Sequence, residues 1–315
     1  MNAPTSTTSR DARGPEQPPA WRKLGAYVGG AVVLFALAVL AARWLVGLDG
    51  VQEFLQRYPG HTPLPEATPV GLPAWLGWQH FLNAFFLVLI IRSGWLVRTQ
   101  QRPPAHWTRN NKGLIKTKNP PKRISINLWL HLTLDALWVL NGLVFLVLIF
   151  ATGHWARIVP TSWEIFPNAV SAGLQYLSLN WPLENGWVNY NSLQVLAYFV
   201  TVFIAAPLAI ATGLRMSEAW PKRAAVNRFY PIEAARAVHF PTMVYFVGFI
   251  VVHVALVLAT GARRNLSHMF AAQEDAGWLG FWIFLVSVAV MAAGWFLARP
   301  ALLAPLANLM GRVSR

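Results

Sequence analysis

The chain has 315 residues, 55% of them hydrophobic and 12% charged, with a formal net charge of +14 and a mean hydropathy of +0.41. Soluble domains carry about a quarter charged residues, so this composition excludes an ordinary soluble protein, and the long, non-alternating apolar runs exclude a β-barrel. The absence of cysteine excludes disulfides, thiolate clusters, covalently attached haem and cysteine-ligated iron–sulfur centres, which leaves the eight histidines as metal ligands.

Residues 1–20 are polar and rich in Pro, Ser and Thr, the composition of a disordered tail. Six apolar segments follow, at about 24–47, 75–97, 126–151, 193–214, 235–260 and 278–298, each near the roughly 20 residues that a spanning helix needs. The fold class expected is therefore an all-α integral membrane protein with six transmembrane helices. The first segment is longer than the core of a signal peptide and lacks a short basic leader, so it reads as a retained helix over 21–50. The connection at 152–192 is rich in Trp and Tyr, which suit the membrane–water interface. Residues 277–315 supply the last helix and a tail.

Lys and Arg set the orientation. The N-terminal tail, the 98–125 connection, the 215–236 connection and the C-terminal tail hold 20 of the 26 basic residues, and with six spans they share one side. The positive-inside rule makes that side the cytoplasm, with both termini there, in a bacterial inner membrane. The basic residues flank spans and form no nucleic-acid-binding module. The 98–125 connection reads as a topology determinant touching anionic lipid, or as a dock for an acidic partner.

Four histidines fall inside spans: His80, His131, His239 and His253. Polar groups there are costly and face the bundle interior. His239 and His253 are fourteen residues apart, almost four full turns at about 100° per residue, so they share one helix face about 21 Å apart along the axis. The second span runs inward and puts His80 near the outer surface; the third runs outward and puts His131 near the inner one. Two pairs at matched depths result, His80 with His253 and His131 with His239. Paired imidazoles across a helix bundle are the axial ligand set of a low-spin haem b. Gly94 is in phase with His80, and Gly142 nearly in phase with His131, so each makes room for the haem held by the other pair. Arg92 in the second span is placed to meet a haem propionate, and Asp135, one turn beyond His131, to take a proton from a quinol or tune the inner haem. The plain alternative is that these two pair with each other or that Arg92 snorkels to the surface. Met243 lies one turn beyond His239. Asn141, Tyr198 and Thr212 read as interhelical hydrogen-bonders.

The succession "WQHFLNAFFLVLIIRSGWLVR", "LWLHLTLDALWVLNGLVF", a histidine-free span and "HFPTMVYFVGFIVVH" resembles the prokaryotic cytochrome b561 family, the di-haem membrane subunits of nickel–iron hydrogenases and formate dehydrogenases. The resemblance covers about residues 75–262 and places the family's H-x-x-N-A … S-G pattern on His80, Asn83, Ala84, Ser93 and Gly94. It implies a four-helix core with two haem b groups held by His80, His253, His131 and His239. It further implies electron transfer between a peripheral oxidoreductase partner (hydrogenase, formate dehydrogenase or molybdopterin type) and quinone. The helix before that core is a departure; it inverts the core, so the family's partner side does not transfer directly. The sixth span has no counterpart in the pattern. Two other classes stand as alternatives: a proton-coupled transporter or channel, which the missing inverted repeat argues against, and a plain membrane anchor, for which four matched histidines are superfluous.

Overall fold

The structure, a computed structural model, describes residues 20–112, 116, 120–182, 185–221 and 225–314. Of the tail expected over 1–20, residues 1–19 lie outside the described residues. Among the described residues, six helices are long and apolar enough to span a membrane: Trp21–Val46, Ala74–Thr99, Ile126–Ala151, Ser192–Met216, Ile232–Ala259 and Leu279–Leu297. The all-α, six-span architecture is thus the one expected.

The chain divides into two units, one of residues 1–57 and 173–182 and one of the remainder. The first holds α1 (Ala20–Val46), uniformly apolar through its centre, and α2 (Asp49–Arg57), a short amphipathic helix with Asp49 in its first turn and Arg57 in its last. That charge order suits the helix dipole.

The second unit contains the other five spans. They are α3 (Ala74–Thr99); α4 (Ile126–Ala151); a fourth made of α6 (Ser192–Phe199), a π-helical stretch Val200–Ala205 and α7 (Ala206–Met216); α8 (Ile232–Ala259); and α10 (Leu279–Leu297). Their starts are written locally. Ser125 caps α4 by accepting from the Leu128 amide at 3.1 Å, and Asn191 and Gln194 form a reciprocal capping box on α6. The π stretch precedes Pro207, whose ring would collide with the carbonyl four residues back; the wider turn accommodates it. Four spans meet in one core, where Leu87 of α3, Trp138 of α4, Ala205 of the fourth span and Phe246 of α8 pack together.

On the side where α3, the fourth span and α10 end lies a three-stranded antiparallel sheet that the sequence pattern did not foretell. Its strands are β1 (His106–Arg109), β2 (Arg123–Ser125) and β3 (Gly311–Ser314), in the order β2-β1-β3. Trp107 anchors it: the indole N–H donates to the Ala307 carbonyl of α11 (Pro300–Asn308) at 2.8 Å, and the ring lies 6.3 Å from Trp129 of α4. Leu89, Ile126, Leu130, Leu134 and Leu303 form the apolar layer there. An exposed ion pair, Lys122–Glu218 at 2.7 Å, joins two connections on this same side.

The opposite end is a folded cap, and the connection read as an interfacial loop contains a helix, α5 (Ile165–Leu177), of which residues 165–172 belong to this unit. Arg157, 2% exposed, organises the part of the cap formed by residues 58–73 and 185–191. Its guanidinium donates to the carbonyls of Gly186 at 2.7 Å and Val188 at 3.0 Å and lies 4.8 Å above the Tyr190 ring. Burial, and then Arg157 nearby, holds His154 below the ordinary imidazole pKa; burial also lowers His268, whose Nε2 lies 2.9 Å from the Glu274 carbonyl. After a short helix, α9 (Ala262–Leu266), a π-helical turn, Ser267–Ala271, folds back over α3 and α10, where Gly77 and Gly280 leave no room for a side chain against its backbone.

The sheet ties the 98–125 connection to the C-terminal segment, so both occupy one face of the membrane. Thr108 and Arg312 are directly opposed, and opposed strand positions lie within about 4.5–5.5 Å, inside disulfide range. In the naturally cysteine-free chain, the double variant Thr108→Cys/Arg312→Cys should form an intramolecular disulfide on mild oxidation. Failure to crosslink, or labelling of the two single variants from opposite membrane faces, would refute the sheet.

Candidate haem site

The four intramembrane histidines come together as two pairs. The rings of His80 on α3 and His253 on α8 have centroids 6.3 Å apart and inclined at 52°. Those of His131 on α4 and His239 on α8 are 6.4 Å apart at 81°. The remaining histidines join neither pair: His106 is in β1, His154 and His268 are in the cap, and His61 is in a loop.

The surroundings of the second pair select one nitrogen on each ring. Thr212 on α7 donates its hydroxyl to the Leu208 carbonyl at 2.7 Å, so toward His239 Nδ1, at 2.8 Å, it accepts. Ser93 likewise donates to the Leu89 carbonyl at 2.8 Å, and His131 Nδ1 lies 3.1 Å from its oxygen and 3.2 Å from the Ile90 carbonyl. A neutral imidazole with a proton on Nδ1 presents a lone pair on Nε2, and a metal-binding histidine is commonly held by a hydrogen bond at its other nitrogen. Small residues flank both rings. A Cβ at Gly94 would meet His131 Cε1 at 3.0 Å, and one at Gly213 would meet His239 Cε1 at 3.7 Å.

Aromatic rings enclose the first pair. Phe249 stacks on His253 at 5.5 Å and 8°, Tyr198 meets the same ring edge-on at 5.9 Å, and Phe270 of the folded-back turn meets His80 at 5.7 Å. His80 Nδ1 is buried without a hydrogen-bond partner. Open space surrounds Gly142.

Among the described residues no three His, Cys, Asp or Glu side chains converge as a bare ion would require. Two imidazoles suffice when a macrocycle supplies the other ligands. An imidazole centroid lies about 1.2 Å behind its ligating nitrogen and a histidine–metal bond is about 2.0–2.1 Å long, which puts the centroids of trans ligands about 6.4–6.6 Å apart. Both observed separations are close to that value, so the residues present fit a bis-histidine haem at each level.

The other polar residues are placed as follows. Asp135 Oδ2 lies 3.6 Å from His131 Nε2, on the same helix. Arg92 turns to the opposite side of α3, toward α10, with its guanidinium 5.6 Å from the Trp295 ring. Asn83 accepts from the Trp138 indole at 2.6 Å, binding α3 to α4. Asn141 is buried, and Tyr198 and Thr212 contact His253 and His239. Sequence reasoning missed Gly213 as a site residue. The signal was its place beside Thr212 in a span with no histidine of its own.

The sequence profile described as prokaryotic cytochrome b561 matches residues 71–272. The chain is 29% identical over 197 residues, 59% of its length and 88% of the other's, to the Azospira oryzae protein named "Putative protein-methionine-sulfoxide reductase subunit YedZ1". No solved structure matches the chain significantly. The profile match runs through every span that carries an intramembrane histidine and covers more than half of the chain, which therefore belongs to the prokaryotic cytochrome b561 family and is a membrane haem b cytochrome of electron transfer.

Proposed function

We propose that this protein binds two haem b groups within residues 75–262, one between His80 and His253 and one between His131 and His239. Through them it passes electrons between a peripheral oxidoreductase subunit and the quinone pool. The observation that carries this reading is the pair of centroid separations, 6.3 and 6.4 Å, repeated at two levels of α8. Haem supplies reversible one-electron chemistry when bound. The chain's own residues do the rest. Ser93 and Thr212 hold the inner imidazoles with Nε2 forward; Gly94, Gly142 and Gly213 leave space for a flat ring; Phe249 and Phe270 keep water from the outer pair. Asp135 is the group nearest the inner pair able to exchange a proton with a quinol.

Two imidazoles at each level would hold a haem with no protein position left open, so chemistry on a substrate other than quinone would fall to the partner. The relative's printed name describes a subunit of a methionine-sulfoxide reductase, which supports a partner enzyme of the oxidoreductase class. The basic side bearing the sheet is the cytoplasmic one in this reading, in a bacterial inner membrane, so the His131–His239 haem faces inward.

Purified protein should give two haems b per chain in a pyridine haemochrome assay; one haem per chain removes one pair. His131→Ala and His239→Ala should abolish or convert to high spin the same spectral component, and His80→Ala and His253→Ala the other, because ligands about 21 Å apart along α8 cannot serve one iron. A common haem lost from His131→Ala and His253→Ala would overturn the pairing. Thr212→Val removes the acceptor at His239 Nδ1 and should weaken haem retention at that level alone, by about 10- to 100-fold; unchanged retention in a haem-transfer assay would assign Thr212 to packing.

A further inference from the structure

An apolar cleft of about 570 Å³ lies between α3, α8 and α10, with Arg92, Trp95, Phe240, Met243, Val247 and Trp295 in its wall. It differs from the haem levels in facing outward from α3, on the side away from Ser93 and Gly94. Its cations are its distinguishing feature. Arg92 has a buried Nη1 with no hydrogen-bond partner. Arg98 sits 4.1 Å above the Phe240 ring. Arg299, immediately after α10, is close enough to act electrostatically on Arg92. Among the described residues no carboxylate forms an ion pair with any of the three.

Three arginines around one apolar groove repel one another, and a buried guanidinium N–H without an acceptor is costly. Both costs are relieved by an anion with an apolar tail. The placement suits one. Arg92 is seven residues before the end of α3, about 10 Å into the membrane, and its side chain runs toward Trp295 near the end of α10. Arg299 is exposed at the surface on the same side as the sheet. A ligand at this cleft therefore has its charged group at the interface and its tail between helices. A basic pocket between spanning helices on the positively charged side has the character of an anionic-lipid site.

We propose that this cleft binds an anionic phospholipid of the leaflet on the sheet side. Arg92 and Arg299 hold the phosphate, Arg98 lies at the rim, and an acyl chain runs along Met243 and Val247. The occupant is a lipid because the groove opens laterally on surfaces that face the bilayer: Trp95, Val244 and Trp295 are all exposed.

The test uses the full-length, haem-loaded protein, stripped of lipid and incubated with equal amounts of dioleoyl phosphatidylglycerol and dioleoyl phosphatidylcholine. Bound lipid is read by native mass spectrometry. Wild type should retain phosphatidylglycerol in preference, and Arg92→Gln/Arg299→Gln should reduce that preference by about fivefold per arginine removed. Arg228→Gln/Arg312→Gln, which removes two basic residues elsewhere on this side, should leave it unchanged. The visible spectrum and haem content of Arg92→Gln should match wild type. If the double variant fails to fold, Arg299→Gln alone, at an exposed position, carries the test. Equal retention of the two lipids by wild type overturns the proposal. So does an equal loss from the distant pair, which would assign the effect to general surface charge. Loss of haem absorbance in Arg92→Gln also overturns it, since the arginine's partner would then be a haem carboxylate.

Discussion

An imidazole among apolar helices has two nitrogens and no water, and the site depends on how that constraint is met. At the level of His131 and His239, each Nδ1 has a protein acceptor, from Ser93 and Ile90 in one case and Thr212 in the other. This leaves Nε2 as the lone-pair nitrogen of each ring. Ser93 and Thr212 each donate to a carbonyl of their own helix as well. Three spans are thereby locked in rotation about their axes, because a helix turned by one residue, about 100°, would carry its hydroxyl or its glycine away from the ring it serves.

The level of His80 and His253 is organised differently. His80 Nδ1 has no protein acceptor, and the enclosing groups are rings: Phe249, Tyr198 and Phe270. Phe270 comes from a segment folded back from the end of α8, while Tyr198 meets Tyr190, on which the buried Arg157 lies. The cap and the first imidazole pair thus form one packed body, in which a buried cation and backbone carbonyls replace the short hydroxyl contacts of the His131–His239 level.

How much of this was legible in the sequence follows from the range of each signal. The spans were readable because about twenty apolar residues in succession have few alternatives. The pairing of His80 with His253 and of His131 with His239 was readable because the helical repeat fixes both face and depth. Gly94 was readable through the same phase, and its contact is with His131, a member of the other pair. The opposite orientation of Arg92 was also present in that phase, since two residues separate it from Gly94, about 200° around the helix. Its alternatives of propionate and snorkelling did not use that fact. The sheet was not readable. Strands of three and four residues carry almost no alternation, and β1 pairs with a β3 some two hundred positions away. Nor was α5, whose Asn, Ser and Gly content and flanking tryptophans match an interfacial loop as well as a helix.

The π-helical stretch at Val200–Ala205 has a bearing on more than the proline beside it. A single π turn is in effect one residue inserted into an α-helix, and it changes the phase of everything after it by about 100°. Thr212 and Gly213 are both downstream. The fourth span is therefore two half-helices with independent rotational settings: the half before the bulge presents Tyr198 to His253, and the half after it presents Thr212 and Gly213 to His239. One residue gained or lost between Tyr198 and Thr212 would turn one half about 100° against the other, which sets a length rule for this span: residues can be exchanged there far more readily than one can be gained or lost.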